Sequence, residues 1–407
     1  MTENAVVTGL GVLAPNGLGT EEFWTSTLKG ISGIDRITRY DPSGYPSPLA
    51  GEVLTFDAAD HLSNRILPQT DRMTQMALAA SDWALADAAV DPATVPEFDM
   101  GVVTASASGG FEFAQHELQK LWSKGPEYVS AYQSFAWFYA VNTGQISIRH
   151  GMRGPSGVLV TDQAGGLDAL AHARRHIRKG TGLVMSGGVD ASLSPWGLVS
   201  QITTGRLSRS TDPERAYAPF DVSADGYVPG EGGAILVLES ERGARDRGAR
   251  IYGTLAGYGA TFDPAPGSGR RPGLRRAVEL ALADAAVTPP DVDVVFADAA
   301  GVRTLDRTEA EALAAVFGPH TVPVTAPKTM TGRLYSGAAS LDVTAALLAM
   351  RDGVVPPTLH VPDQAADCPI ALVRDTAREM TVRTALVVAR GHGGFNAAMV
   401  LRAPDGD

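Results

Sequence analysis

The chain has 407 residues, 44% of them hydrophobic, and a formal net charge of −11. That length supports a sizeable core and either two or three domains or two fused halves of one larger fold. The acidic balance argues against nucleic acid as a partner. One cysteine, Cys368, lies in a polar, loop-like stretch. It allows no disulfide framework and suits a reducing cytoplasm. Residues 1–30 hold no basic segment followed by an apolar run. No stretch reaches the roughly 20 apolar residues of a membrane helix, so a soluble cytoplasmic protein is expected.

In chain order, Ala5–Thr8 forms a short strand running into Gly9-Leu10-Gly11-Val12-Leu13-Ala14-Pro15-Asn16-Gly17. The Gly9-x-Gly11-x-x-Ala14 spacing imitates a dinucleotide fingerprint, but Pro15-Asn16-Gly17 spell a turn where that motif needs a helix. A buried turn is expected there. Asp71–Ala89 has a helical pattern with small residues on one face, suggesting a closely packed interior helix. Gly101–Thr104 is a strand, Phe111–Leu121 a helix, and Tyr132–Tyr139 an aromatic-rich stretch that reads equally as interface or as core.

The most informative stretch is Gly157 to Asp168. A β-branched strand (157–161) is driven into a sharp turn, and a helix (166–179) begins immediately behind it. Leu167, Leu170, Ala171 and Ile177 share one face of that helix, and Arg174, Arg175, Arg178 and Lys179 load its last turns before Gly180. Basic residues there complement the negative end of the helix dipole. A strand-turn-helix elbow is where a nucleophile is displayed, because helix N-terminal donors stabilise a developing anion. The displayed residue is Gln163, whose amide is neither basic enough to attack nor able to lose a proton near neutrality. With strand 182–186, these elements form a crossover unit of a parallel layer.

The charged stretch 241–250 reads as the join between two halves, after which the order of elements repeats. A helix spans Leu274–Ala286 and a strand Val292–Ala297. A further helix opens at Thr308, where Glu311 completes a capping box. Val322-Pro323-Val324 leads to Lys328, and a small-residue helix covers about Gly337–Met350. Strands Ala385–Ala389 and Ala397–Leu401 flank Gly391-His392-Gly393-Gly394. Of the histidines, His116, His150, His172 and His176 are expected in solvent, while His392 lies in a position to border the elbow's site. No His/Cys/carboxylate cluster has metal spacing, and no Gly-x-Ser-x-Gly elbow is present.

Several segments together are more specific than any one. They are Gly9-Leu10-Gly11; Val160 to Ala169; Tyr217-Ala218-Pro219-Phe220-Asp221; Gly226 to Gly232; Lys328-Thr329-Met330-Thr331-Gly332-Arg333; and Gly393-Gly394-Phe395-Asn396. In this order they resemble the β-ketoacyl synthases over essentially the full length. Among these the chain is most similar to the chain length factors, non-condensing partners of the ketosynthase in bacterial aromatic (type II) polyketide synthases. The resemblance implies an α/β, thiolase-like fold with duplicated halves in a five-layered α-β-α-β-α architecture, the halves being 1–243 and 244–407. It implies an obligate heterodimer with the ketosynthase α subunit, which supplies the condensing Cys. Substrates would arrive on the phosphopantetheine of an acyl carrier protein, with no cofactor or metal bound here.

Carried over residue by residue, the family's nucleophilic Cys is Gln163 here. One histidine position holds Asp298 and the other Arg333, while Lys328, Asp306 and Glu309 match. Those histidines donate to a developing enolate oxygen. An ionised Asp298 would repel an enolate, whereas Arg333 could still donate but could not exchange protons near neutrality. For Gln163 two readings stand. Its amide holds a malonyl thioester for decarboxylation and priming, or it fills the vacated cavity and satisfies the helix N–H groups. On the helix that in the family lines a tunnel at the heterodimer interface, Phe111, Ala114 and Leu118 share a face. Small Ala114 and Leu118 imply a comparatively deep tunnel, passing an octaketide or longer, unless these residues only pack the dimer core. Two other functions are weighed. One is a stand-alone acyltransferase or decarboxylase using Gln163 and Arg333, the other a purely structural stabiliser of the ketosynthase.

Overall fold

The computed structural model describes residues 3–404 except 266. One mixed sheet runs Ala371–Leu372, Pro323–Thr325, Val294–Phe296, Thr384–Arg390, Phe395–Arg402, Gly253–Phe262, Ala5–Ala14, Gly232–Ser240, Leu183–Asp190, Met100–Ala105, Ser156–Leu159. Outward from the middle, and leaving aside the two-residue edge strand Ala371–Leu372, each half sheet visits its strands in the same relative order: first, last, fourth, second, third. Among the described residues the two half sheets are joined by the short pairing of Val6 with Thr254 and Val7 with Gly253. This narrow seam lets the half sheets face each other across two helices, Gly165–Arg178 and Ser336–Asp352, which pack together and against strands of both halves. Outside them lie helices Arg72–Asp87 and Leu274–Ala285. The result is five layers, α-β-α-β-α.

A helix between two sheets has no solvent face, and the composition follows. Every residue from Ser336 to Ala349 is buried. Its buried hydroxyls bond to backbone, as buried polar groups need partners: Ser340 Oγ donates to Gly188 O at 3.2 Å and Thr344 Oγ1 to Ser340 O at 3.0 Å. Leu167, Leu170 and Ile177 of the neighbouring helix enter the same apolar cluster. Arg174, expected among the basic residues of its last turns, is instead buried. Its guanidinium donates to Asp284 at 2.5 Å and to the Ala256 carbonyl, tying the central layer through the sheet to the outer helix.

Gly9-x-Gly11 also has a different role from the one its spacing suggests. Both glycines lie inside the ten-residue strand Ala5–Ala14, not in a turn. A Cβ on Gly9 would stand 2.1 Å from Ala84 O, and one on Gly11 1.9 Å from Ala80 O. The outer helix therefore rests directly on the strand backbone. The second half repeats the device with Gly257 and Gly259 under Ala281 and Ala277. This shared close approach is the strongest sign of duplication in the sequence itself.

Most expected elements occur with shifted ends. Two are corrected. The helix expected from Thr308 begins at Arg303, because Val302 is its N-cap; Thr308 sits mid-helix with its hydroxyl on Thr304 O, 2.8 Å away. A reciprocal Thr/Asp box does exist, at Thr288 and Asp291. The strands Gly232–Ser240 and Gly253–Phe262, unassigned from sequence, flank a short helix, Glu241–Asp246, within the charged stretch. Among the described residues no helix is long and apolar enough to cross a membrane.

The close approach at Gly11 gives a direct test. Gly11→Ala should lower stability by about 1–3 kcal/mol through overpacking, seen as a lower urea midpoint. Gly44→Ala, where the new methyl meets nothing within 4 Å, should leave that midpoint unchanged.

Candidate functional site

Strand Ser156–Leu159 ends earlier than its sequence suggests, and the chain then turns sharply. Thr161 Oγ1 donates to Asp168 at 2.5 Å, and Asp162 takes a left-handed φ of +53°. A single 3₁₀ turn, Asp162–Ala164, leads into the helix beginning at Gly165. Ser336 Oγ donates to Asp162 O at 3.2 Å, and the Asp162 carboxylate accepts His392 N–H at 2.6 Å. Residues other than glycine at positive φ are costly unless their surroundings enforce them, and they cluster at functional sites. Asp162 and Tyr335 both have positive φ and both border the same region.

That region is a cavity of about 240 Å³, lined among others by Gln163, Tyr227, Asp298, Arg333, Tyr335 and His392. The structure thus brings together Gln163, Asp298 and Arg333, which are far apart in sequence. Gln163 is buried, and its Oε1 has no hydrogen-bond partner. It makes no side-chain cap for the following helix, so the reading in which it satisfies helix N–H groups is corrected. The reason is register: the helix starts two residues later, behind the 3₁₀ turn.

Asp298 and Arg333 are not separate relics. They form a bidentate pair, with Arg333 Nη2 on Oδ1 at 2.9 Å and Nη1 on Oδ2 at 3.2 Å, both side chains almost fully buried. Arg333 also donates to the carbonyls of Asp298 (2.6 Å) and Arg390 (3.3 Å), and its guanidinium lies 5.6 Å from the Tyr227 ring centre. The expectation that Arg333 remains free to donate is therefore corrected: its donors are committed to Asp298 and to backbone. Burial would raise the Asp298 carboxyl, but the charges of Arg333, Lys328 and Arg390 outweigh it and hold the group below its usual range. Arg333 loses some basicity to burial, yet Asp298 lifts it well above its ordinary value. The two charges stabilise each other, and no proton is available for exchange.

The matching scaffold residues build this loop from behind. Glu309 accepts the N–H groups of Asp298 (2.7 Å) and Ala299 (3.0 Å). Asp306 accepts those of Phe220 and Gly301, each at 3.0 Å. Burial raises both carboxyls to about 7. Lys328 donates to Ala297 O at 2.7 Å and pairs with Asp342 at 2.6 Å, away from the cavity mouth. Across the entrance, Asn396 Nδ2 donates to Asp263 Oδ1 at 2.8 Å. Tyr335, Arg206 and Arg390 also line the cavity and had no sequence signal; Tyr227 lay within the quoted Gly226–Gly232 segment without being singled out.

Phe111, Ala114 and Leu118 lie on the helix Phe111–Lys124, and none of them lines the cavity. Phe111 stacks on Trp196 at 4.8 Å. Leu118, Gln115, Trp122 and Trp196 line an open, mostly apolar groove. Ala114 is buried within its own protomer and is not among the groove's lining residues; position 115 is nearer the centre of the open face. In the aromatic stretch, Tyr132, Trp137, Phe138 and Tyr139 are exposed while Phe135 packs on the core. His150, expected in solvent, is half-buried between Ser81 and Asp82. Among the described residues no group of three or more metal-ligating side chains is found.

An α/β fold duplicated around two central helices, with a strand-turn-helix elbow at its centre, defines a class, and the comparisons agree. The β-ketoacyl synthase N-terminal domain matches residues 2–244 and the C-terminal domain residues 252–362; the chain belongs to the β-ketoacyl synthase family, on the thiolase-like fold. The chain is 65% identical to the tetracenomycin polyketide synthase ketoacyl synthase β subunit of Streptomyces glaucescens, over 98% of both chains. It is 60% identical to the actinorhodin polyketide putative β-ketoacyl synthase 2 of Streptomyces coelicolor, again over 98% of both. The solved ishigamide ketosynthase/chain length factor superposes over the full length of both chains with TM-score 0.92 at 29% identity. Within its family the chain therefore stands with the ketosynthase β subunits, the chain length factors of type II polyketide synthases.

The buried pair makes a stability prediction. Asp298→Ala leaves Arg333 charged and unpaired in the interior and should cost about 3–5 kcal/mol, measured by chemical denaturation. Replacing both residues by apolar ones should cost clearly less than the single change.

Proposed function

We propose that this chain is the non-condensing subunit of a type II polyketide ketosynthase. It pairs with a Cys-bearing α subunit and sets the length of the polyketide. A solved acyl carrier protein complexed with its type II ketosynthase superposes on this chain with TM-score 0.89 at 28% identity. That likeness supports delivery of substrates on a carrier protein's phosphopantetheine arm. We place the complex in the cytoplasm, where Cys368 stays reduced, and take residues 1–243 and 244–407 as the two halves.

The observation that carries this reading is the elbow. The frame that displays a nucleophile is intact, but position 163 is an amide and the two electrophile-activating positions are locked in an ion pair. The chain alone then has no attacking group at position 163, and the guanidinium of Arg333 is engaged by Asp298 and by backbone. The same lock disfavours a stand-alone decarboxylase acting through Arg333. For Gln163 the buried, unpartnered Oε1 favours a binding role: its amide holds the malonyl thioester during priming.

For chain length we assign the open face of the Phe111–Lys124 helix, with Leu118 as the gating side chain and Phe111 held in place by Trp196. Ala114 supports that face from behind and leaves the channel deep enough for an octaketide or longer.

Two measurements test this reading. Gln163→Cys in the isolated chain should yield no condensation product from malonyl-loaded carrier protein, because the Asp298–Arg333 pair still replaces both histidines. Product formation by that variant would refute a passive elbow. In the heterodimer, Leu118→Phe should shift the product profile to shorter chains, whereas Ala114→Phe should mainly lower the melting temperature. Unchanged product length with Leu118→Phe and normal heterodimer yield would favour a purely structural partner.

A further inference from the structure

The helix Phe111–Lys124, whose open face is assigned above to chain length, is weakly held by apolar packing. Of its 14 residues two are buried, Ala114 and Glu117, against ten of 16 in the helix Arg72–Asp87. With so little hydrophobic surface removed from water, packing alone does not fix where such a helix stands. Polar anchors take over. Gly110 gives its first turn no side-chain cap. The buried Asp71 carboxylate, which caps the helix Arg72–Asp87 through Met73 N–H at 2.8 Å, accepts Phe113 N–H at 2.8 Å with its other oxygen. Further along, Gln115 Oε1 accepts Trp196 N–H at 2.7 Å, and Glu117 accepts Ser130 N–H at 2.6 Å.

The remaining anchor reaches furthest. Arg39 divides its guanidinium among three carboxylates: Nε donates to Glu52 at 3.1 Å, Nη1 to Glu112 at 3.0 Å and Nη2 to Glu231 at 2.8 Å. Glu112 belongs to the first turn of the helix. Glu231 is fully buried, pairs with Arg72 at 2.9 Å and accepts Val53 N–H at 2.9 Å. Burial would raise its carboxyl, but Arg39 and Arg72 outweigh this and hold it below its ordinary range. One residue earlier, Gly230 N–H donates to Arg333 O at 2.9 Å. A continuous path therefore runs from the helix through Glu112, Arg39 and Glu231 to the backbone of the Asp298–Arg333 pair. A planar guanidinium fixes direction as well as distance along such a path, which a lysine ammonium would not.

We infer that Arg39 is a positioning residue for chain length: through Glu112 and Glu231 it fixes the Phe111–Lys124 helix relative to the elbow frame. The inference rests on the functional reading above. Products one malonyl-derived unit apart differ little in length, so a gate carried on this helix separates them only if the helix is held still. Arg39 lines neither the cavity nor the groove at Leu118 and acts through Glu112.

The test uses the assembled heterodimer with malonyl-loaded carrier protein. It reads heterodimer yield, total malonyl consumed, and the ratio of the main product to its shorter and longer neighbours. Glu112→Ala cuts the path at a half-exposed helix position and leaves Arg39 with Glu52 and Glu231. It should lower the ratio about threefold, the size expected of one partly exposed ion pair, with yield and consumption unchanged. Arg39→Met should lower it at least as far, and adding Glu112→Ala to Arg39→Met should change nothing more, because both act along one path. Glu112→Ala, on the helix surface, decides even where Arg39→Met does not assemble. An unchanged ratio in Glu112→Ala, or effects of the two substitutions that add in full, would overturn the inference. A normal response to Leu118→Phe beside an unchanged Glu112→Ala profile sinks this inference alone. Product length indifferent to both sinks the functional reading with it.

Discussion

Two helices run through the interior of this protein, and everything else is arranged to let them. Neither Gly165–Arg178 nor Ser336–Asp352 can turn a wide polar face to solvent, so they meet through glycine, alanine and serine. A Cβ on Gly166 would stand 2.7 Å from Ser336 O, and one on Gly337 2.2 Å from Gly232 O. Such closeness is possible only where side chains are nearly absent, and it fixes the spacing of the half sheets on either side. It also fixes the elbow, because the N-termini of both helices abut there: Gly165 opens one, and Ser336, opening the other, holds the Asp162 carbonyl. The elbow's strained backbone is thus maintained by core packing, and it persists whatever residue is displayed.

This separation of frame from chemistry explains how an acyl-transfer fold can remain while its reactive groups do not. Glu309 and Asp306 still hold the loop at Asp298, and Lys328 still braces the strand end through Ala297. These residues serve backbone groups, so their work continues without a nucleophile. The histidine positions differ, since their side chains would face the reacting atoms. On the reading proposed above, they are held here by two charges that face each other.

The same distinction marks what the sequence could and could not disclose. Residues whose role is periodic were legible: the apolar faces of the central helices, the alternation of strand and helix, and the turn after the strand at 156–159. Gln163 was legible as an anomaly because local pattern defines the elbow. The Asp298–Arg333 pair was not, because their contact spans 35 residues and depends on how two loops are brought together; taken singly, each looked like a lost histidine. Thr308 and Glu311 satisfied a capping pattern but stand inside a helix, since Val302 lies upstream and local spacing cannot say which of two starts tertiary packing selects. Gly9-x-Gly11 was misleading for a related reason. Glycine serves close approach to a helix as readily as to a phosphate, and only the partner, Ala80 or Ala84, tells them apart. Arg174 shows the remaining limit: a cation near a helix end is usually solvated, yet this one has Asp284 waiting across a sheet.

The buried Asp298–Arg333 pair also has a consequence for descent. A route back to a condensing enzyme needs histidines at both positions and a thiol at 163. Changing Asp298 alone strands an interior guanidinium, and changing Arg333 alone strands a carboxylate beside Glu309 and Asp306. Either single change leaves a buried charge without its main partner. The ion pair therefore opposes exchange one residue at a time: both members must change together for the interior to stay neutral.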